Sequence, residues 1–128
     1  MSAMTDSRLK DFFAACNDRD LDRLAAFFTD DAVYLGSLGP EDDGIRFAGA
    51  ANVRRGLGAF LDSHTDLAYT DVDVSVAGDR GFALWTFSGT RVDGSSYTYR
   101  GVDIFAFDGD LIALKDAFRK ERSEAARS

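Results

Sequence analysis

Two aspartates in the C-terminal part of the chain stand among apolar residues, where a carboxylate needs a chemical reason. The segment GVDIFAFDGDLIALKDAF, residues 101–118, predicts a β-hairpin, because Asp108-Gly109 suits a two-residue turn with positive φ. Counting outward from that turn makes Asp103 and Asp116 diagonal neighbours on one face of the hairpin. Such neighbours lie roughly 7–8 Å apart. The pair therefore predicts acid/base chemistry on an apolar surface.

Each of the two carboxylates has a simpler alternative. Asp103 is either a protonated hydrogen-bond donor, with its pKa raised by apolar walls and a second carboxylate, or an ionised side chain held by a tyrosine or backbone amide. Asp116 is either a general acid or base, or the partner of Arg100 or another basic residue in a salt bridge. The residues alone leave both choices open.

Aromatic side chains are predicted to surround these carboxylates. Tyr34 is a third candidate catalytic residue, because its hydroxyl can enter a pocket while its ring packs. The predicted ligand-binding residues are Phe12, Phe60, His64, Trp85, Tyr99, Phe105, Leu114 and Phe118. Plain lining is the alternative for Tyr34 and Tyr99, and packing in the core or a dimer is the alternative for Trp85. His64 could instead cap the C-terminus of the third helix.

The order of the predicted elements indicates the fold class. Apolar residues at helical spacing predict three helices, which begin near residues 6, 20 and 49. Short strands are predicted at 32–35 and 45–47, and alternating apolar residues from Leu67 onward predict a four-stranded meander. This order is typical of an α+β fold, in which a cone-shaped, curved antiparallel sheet wraps around a long N-terminal helix. Residues 119–128 are expected to fray.

Composition restricts the possible partners. The 128 residues, 45% of them hydrophobic, predict a single domain spanning residues 1–128. A formal net charge of −7 argues against binding to nucleic acid or anionic membranes. With one cysteine, Cys16, and one histidine, no metal site and no cofactor are predicted. No apolar run approaches the length of a membrane span and no signal-peptide pattern opens the chain, so a cytoplasmic location is expected.

Four segments resemble the nuclear transport factor 2-like superfamily. They are DFFAACNDRDLD (11–22), FFTDDAVY (27–34), FAGAANV (47–53) and GVDIFAFDGDLI (101–112). The resemblance covers nearly the whole chain and implies the cone fold with a small-molecule pocket. That superfamily includes ketosteroid isomerases, SnoaL-like cyclases, limonene epoxide hydrolases and non-catalytic binding domains, so the fold does not specify the activity.

The resemblance also assigns roles to individual residues. Asp103 falls on the oxyanion-hole aspartate of ketosteroid isomerases, but Phe12 and Gly36 occupy the positions of their catalytic tyrosine and general base. Steroid isomerisation of that type is therefore not expected. In limonene epoxide hydrolases and SnoaL-like cyclases an acid or acid/base aspartate lies on the last strand, where this chain has Asp116. Tyr34 matches the water-positioning tyrosine of the epoxide hydrolases.

Two functions follow from these patterns. The first is cofactor-free acid/base chemistry by an isomerase, cyclase or hydrolase on an apolar substrate that bears a carbonyl or hydroxyl group. The second is a non-catalytic domain that binds a small apolar ligand. The other face of the hairpin carries Val102, Ile104 and further apolar residues that the helices cannot cover, which predicts a homodimer through the outer face of the sheet.

Overall fold

The computed structural model describes residues 2–122, and its sheet is curved and unclosed. The elements are α1 (Asp6–Asn17), α2 (Leu21–Ala25), β1 (Phe28–Leu35), β2 (Arg46–Ala48), α3 (Ala50–Asp62), β3 (His64–Ala77), β4 (Arg80–Arg91), β5 (Ser96–Asp108) and β6 (Leu111–Arg119). The strand order is β2-β1-β6-β5-β4-β3. Strands β1 and β6 pair in parallel, and every other neighbouring pair is antiparallel. This architecture confirms the predicted α+β cone.

Side-chain caps set the start of the first two helices. Thr5 precedes α1, and its side chain accepts a hydrogen bond from the Arg8 N–H at 3.1 Å. Asp20 caps α2, whose start near residue 20 was predicted, and its side chain accepts a hydrogen bond from the Arg23 N–H at 3.1 Å. Helix α1 then packs its apolar face against the concave side of the sheet and closes the narrow end of the cone. The buried residues of the helix, among them Leu9 and Phe13, belong to the hydrophobic core there.

Two of the predicted ligand-binding residues belong to this closed end. Phe12 and Phe105 each have 0% of their surface exposed, and their ring centroids lie 6.3 Å apart in an edge-to-face arrangement. Cys16, on the same helix, is also buried. The prediction that Phe12 and Phe105 line a ligand pocket is therefore wrong, because α1 seals both rings into the core.

The register of the β5–β6 hairpin differs from the prediction in two steps. First, Asp108 pairs with Leu111, so the two turn residues are Gly109, with φ of 61°, and Asp110. This step alone would leave each side chain on its predicted face. Second, a β-bulge falls between the pairs Phe107–Ile112 and Ala106–Leu114. A one-residue offset exchanges the two faces of a strand, so the bulge inverts the rest of β6 relative to β5.

The inversion separates the two aspartates. Asp103 pairs with Ala117 and points to the concave face, whereas Asp116 pairs with Ile104 and lies on the opposite face. Lys115 therefore occupies the place beside Asp103 that the sequence had assigned to an aspartate. The predicted pair of carboxylates on one surface is wrong, and the physical reason is the single extra residue in β6.

Three boundaries also differ from the sequence prediction. His64 is the first residue of β3, since α3 ends at Asp62 and Ser63 forms its C-cap. Strand β1 begins at Phe28, four residues earlier than expected. At the other end Arg119 still belongs to β6, and the part of the predicted frayed tail at 123–128 lies outside the described residues.

No helix within residues 2–122 is long and apolar enough to cross a membrane.

Candidate functional site

A cavity of about 220 Å³ occupies the open end of the cone. Strands β4, β5 and β6 supply most of its wall with inward-facing residues at every second position, and β1, α3, β3 and the β1–β2 loop residues Ser37 and Leu38 supply the rest. Its aromatic lining consists of Tyr34, Phe60, Tyr69, Trp85, Phe87, Tyr97 and Tyr99. A larger groove of about 750 Å³ borders it, lined partly by the hydroxyl side chains of Ser88, Thr90, Ser96 and Thr98. The groove is open to solvent, so the cone cavity is the candidate site.

Two glycines in the strands make room for the large side chains of this cavity. A Cβ at Gly101 would lie 2.4 Å from Trp85 Cη2, so the indole can rest on the strand only because that position is glycine. A Cβ at Gly89 would lie 2.8 Å from His64 Cδ2. These glycines in strand interiors therefore mark a close approach of side chain to backbone. Because neither glycine has a side chain, Trp85 and His64 can pack directly against the strands.

A buried ion pair forms the floor of the cavity. Lys115 Nζ lies 3.3 Å from Asp103 Oδ1, and the two side chains are 5% and 0% exposed. The second carboxylate oxygen, Asp103 Oδ2, has no hydrogen-bond partner within residues 2–122, and neither does Trp85 Nε1. The Trp85 N–H nevertheless lowers the pKa of the Asp103 carboxyl, so these two groups act on each other, and a water or a small shift of either side chain would complete their hydrogen bond.

Burial and mutual attraction determine the charges of this pair. Burial raises the pKa of the Asp103 carboxyl above its ordinary value of 3.8, and the Lys115 ammonium and the nearby Trp85 N–H only partly offset that effect. Burial alone would lower the pKa of the Lys115 ammonium, but attraction to the Asp103 carboxylate outweighs it, so this pKa lies above the ordinary 10.5. Lys115 is therefore charged at neutral pH, and it can donate hydrogen bonds into the cavity.

Tyr34, the third candidate catalytic residue, lies beside the ion pair. The Lys115 ammonium is 4.7 Å from the centroid of the Tyr34 ring, which is a cation–π distance. The ring also stacks on Phe47 at 5.5 Å. Burial raises the pKa of the Tyr34 phenol, although the Lys115 charge opposes this. Tyr34 thus stays protonated and helps to hold the ammonium in position.

A histidine and a tyrosine form a second polar pair on the wall. His64 is 5% exposed, and its Nδ1 lies 2.9 Å from the Phe60 carbonyl oxygen, which can only accept. The proton must therefore be on Nδ1, with the Ser63 hydroxyl also 2.9 Å away. In the neutral imidazole Nε2 is then an acceptor, to which the Tyr97 hydroxyl donates. The phenol oxygen of Tyr97 keeps its lone pairs for a ligand.

The rim of the cavity is cationic. Arg91 ends β4 and Arg119 ends β6, and both line the opening on either side of the β5 residues Tyr97 and Tyr99. Burial raises the pKa of the Tyr97 phenol, while the two guanidinium groups act against that rise.

The structure places the predicted site residues in three groups. The cavity contains Phe60, His64, Trp85, Tyr99 and Tyr34, and Asp103 lies directly beneath it. Phe12 and Phe105 are in the core. Leu114, Asp116 and Phe118 lie on the outer side of β6, and Phe118 is 52% exposed. The prediction that Leu114 and Phe118 bind the ligand is wrong, because the bulge in β6 turns both side chains to the outer face.

Asp116 belongs to a different surface. It lines a depression of about 130 Å³ together with Ser37, Asp42 and Asp43 of the β1–β2 loop. Partial burial raises the pKa of its carboxyl, and repulsion from the Asp43 and Asp103 carboxylates adds to that rise. A catalytic role beside Asp103 remains a prediction from the resemblance, but the geometry puts Lys115 there instead.

Sequence reasoning missed Lys115, Tyr69, Tyr97, Arg91 and Arg119 as lining residues. Without the bulge, strand parity puts Lys115 and Arg119 on the face opposite Asp103, so the sequence did not mark them as lining residues. One signal was available for the others: Trp85, Phe87, Gly89 and Arg91 share strand parity, and a glycine between large residues indicates a crowded inner face. In the described part of the chain no three His, Cys, Asp or Glu side chains are grouped to hold a metal ion.

Comparison with known proteins agrees with this geometry. Residues 9–115 match the SnoaL-like domain family. No curated protein matches the chain. A candidate polyketide cyclase from Xanthomonas campestris pv. campestris superposes with a TM-score of 0.77 at 21% identity, covering 89% of this chain and 88% of the other.

Two further structures are similar. A candidate isomerase from Bacillus subtilis gives a TM-score of 0.75 at 17% identity over 89% of this chain and 84% of the other. TerC, co-crystallised with polyporic acid, gives 0.73 at 16% identity over 89% of each chain. These likenesses are to the fold, while the family match spans most of the sequence. The chain therefore belongs to the SnoaL-like domain family of the nuclear transport factor 2-like superfamily.

Proposed function

We propose that the protein binds a small carbonyl- or hydroxyl-bearing substrate in the cone cavity and moves a proton on it without a cofactor. The observation that carries this proposal is the buried Lys115–Asp103 pair at the floor of an aromatic cavity, where Lys115 lines the cavity and Asp103 lies beneath it. Perturbed ionisable groups in a concave site are typical of acid/base enzymes. The SnoaL-like family to which the chain belongs includes cyclases and isomerases.

The roles follow from the hydrogen-bonding capacity of each group. The Lys115 ammonium donates a hydrogen bond to the carbonyl oxygen of the substrate and stabilises the negative charge that develops there. Asp103 keeps Lys115 charged and aimed. On the opposite wall the Tyr97 oxygen accepts a proton from the substrate while its own proton passes to His64 Nε2. The electron pair of the broken bond stays on the substrate as an enolate, and the charge on His64 faces the Phe60 carbonyl.

Deuterium exchange into 2-tetralone, a two-ring ketone, tests this proposal. In D₂O the protein is expected to accelerate exchange of the α-hydrogens over the buffer rate, as measured by NMR. Asp103→Asn, which weakens the hold on Lys115, is expected to lower that rate by about 10²-fold, within the usual range for an acid/base group. Asp108→Asn is the matched control, because the same change at the exposed end of the same strand lies away from the cavity, and its rate is expected to be normal.

A non-catalytic binding domain is the second candidate. It is favoured by the departures at Phe12 and Gly36 from the catalytic set of ketosteroid isomerases, and by the engagement of Asp103 Oδ1 with Lys115. The exchange experiment separates the two functions. If 2-tetralone binds but exchanges only at the buffer rate, the protein is a binding module.

We also propose that two copies associate through the outer face of β4, β5 and β6. Four large apolar side chains there, Phe82, Leu84, Ile104 and Phe118, are between 38% and 52% exposed. A groove of about 460 Å³ between Leu84 and Phe118 could receive a side chain of the second copy. The same face on both copies would pair about a two-fold axis.

Sedimentation velocity tests the association. The protein is expected to be dimeric at micromolar concentration, and Leu84→Asp to be monomeric, because it buries a charge at the centre of the apolar face. Val92→Asp is the control: Val92 is 68% exposed but lies in the turn between β4 and β5. A monomeric wild-type protein, or dissociation by both variants alike, would contradict this interface.

A further inference from the structure

The charges on the cavity wall are unbalanced in favour of cations. Arg91, Lys115 and Arg119 line the cavity, and within residues 2–122 the carboxylates of Asp103 and Glu121 pair with Lys115 and Arg119, which leaves Arg91 without an ion pair. This is the reverse of the chain as a whole, which carries a formal charge of −7. A cleft whose walls carry one sign of charge concentrates its field inside, so the cavity attracts anions although the protein is acidic.

The two arginines are held in place by stacking. The Arg91 guanidinium lies 4.0 Å from the centroid of the Tyr97 ring, and the Arg119 guanidinium lies 4.1 Å from that of Tyr99. The two tyrosine rings are 4.9 Å apart, centroid to centroid. A row Arg91–Tyr97–Tyr99–Arg119 therefore crosses the rim. Stacking fixes each guanidinium plane and leaves its N–H groups free to bind in the plane.

The two arginines differ in the ion pairs that they form. Arg119 is paired with Glu121, at 2.7 Å. Arg91 forms no ion pair with any of residues 2–122. The acidic side chain of Asp93 lies in the adjoining turn, but its carboxylate accepts hydrogen bonds from the backbone N–H and hydroxyl of Ser95 at 2.9 and 2.6 Å. Arg91 is thus a pre-positioned cation at the rim with bidentate capacity to spare.

We infer that the ligand of this cavity is an aromatic or planar molecule with a planar oxyanion, such as a carboxylate, that binds Arg91. Guanidinium groups match planar oxyanions through two parallel hydrogen bonds. The aromatic walls accept the ring, and the cavity, which is smaller than the usual range of about 300–1,000 Å³ for drug-sized ligands, suits one or two rings. The polar end opposite the anion would reach Lys115. This inference uses the proposed function only in taking the cone cavity as the ligand site, and it does not require turnover.

Binding of 2-naphthoate and 2-naphthamide tests this inference. The two probes have nearly the same shape and differ in charge. The acid is expected to bind about tenfold more tightly than the amide, measured by calorimetry at low salt. Arg91→Gln is expected to remove that preference by weakening the acid about tenfold, while the affinity for the amide stays unchanged and reports that the cavity is intact. Arg80→Gln, at the exposed start of the same strand, is the matched control and should keep the preference.

The outcomes separate this inference from the proposed function. Equal binding of acid and amide would overturn the anionic ligand, and an undiminished preference in Arg91→Gln would overturn Arg91 as the group that binds the anion. Either result would leave the cavity as a ligand site. Absence of binding by both probes would overturn the cavity itself as the site. Should Arg91→Gln fail to fold, Arg91→Lys provides the second test: it keeps the charge but loses the bidentate geometry, and the acid is expected to weaken by a smaller factor than in the glutamine variant.

Discussion

Replacing Lys115 by Met is expected to destabilise the protein by about 3–5 kcal/mol at neutral pH, measured as the free energy of unfolding in urea. The methionine fills most of the same space, so the cost is mainly electrostatic. It leaves the carboxylate of Asp103, which is 0% exposed, without the one charged partner that contacts it. An uncompensated buried charge is far more costly than a missing ion pair on a surface.

The cost should depend on pH in a defined direction. The pKa of Asp103 is already raised by burial in the wild-type protein, and removing the ammonium raises it further. When the folded-state pKa of a carboxyl exceeds its unfolded value, stability falls as pH rises through the interval between them. The Lys115→Met variant should therefore regain stability as the pH is lowered from 7 toward 4, and its deficit relative to wild type should narrow.

A double variant separates the charge from the packing. Asp103→Leu/Lys115→Met replaces the buried pair by apolar side chains of similar size, and such replacements are often neutral or stabilising. It should recover most of the stability lost in Lys115→Met. A deficit below about 1 kcal/mol in the single variant, or one that does not change with pH, would contradict the buried ion pair.

The sequence was sufficient for the fold because the fold depends on long, repeated patterns. Helical spacing over residues 9–16 and 53–61 and alternation in β3 specify which face of each element is apolar. Errors of a few residues at their ends do not alter that face. The helix starts at Asp20 and after Gly49 were predictable for a different reason, because each depends on a local signal at the first turn.

The site was less predictable because it depends on the register of one hairpin. The bulge in β6 leaves Ala113 outside the paired positions, and alanine carries no signal for a bulge. That single residue decides whether Lys115 or Asp116 lies beside Asp103. Asp103 itself lies on the same buried face of β5 as Phe105 and Phe107, which share its strand parity. The residue beside Asp103 could not be predicted without the register. The predicted pair consists of two carboxyl groups, whereas the observed pair consists of a carboxyl group and the ammonium of Lys115.

The position of Trp85 depends on which face of β4 points into the cone. The sequence left open which of its two faces carries Trp85, since Phe82, Leu84 and Thr86 are nearly as apolar as the alternate set. Pairing with β5 settles this: Trp85 lies opposite Gly101 and Phe87 opposite Tyr99, so the larger rings are inside. Phe82 and Leu84 then lie on the outer face, where the proposed dimer would cover them.

The second large effect is expected from Phe12→Ala, which should cost about 3–5 kcal/mol in the free energy of unfolding. Phe12 is 0% exposed, and its ring makes edge-to-face contacts with four phenylalanines, at centroid distances of 5.3 to 6.3 Å. These rings come from α1, the start of β1 and β5, so no single neighbour can move to fill the space. The loss includes both the buried area and the aromatic contacts.

Phe60→Ala is the matched comparison, because Phe60 lies at the cavity wall on α3 and is only partly buried. Its removal is expected to cost less stability than the loss of Phe12 but to weaken 2-naphthamide binding, since the ring contacts His64 and Phe87 beside the ligand space. Phe12→Ala should therefore lose more stability in urea unfolding, whereas Phe60→Ala should lose more 2-naphthamide affinity in calorimetry. If Phe12→Ala weakened the probe while leaving stability nearly unchanged, Phe12 would line the cavity after all, and the closed end of the cone would have to be placed elsewhere.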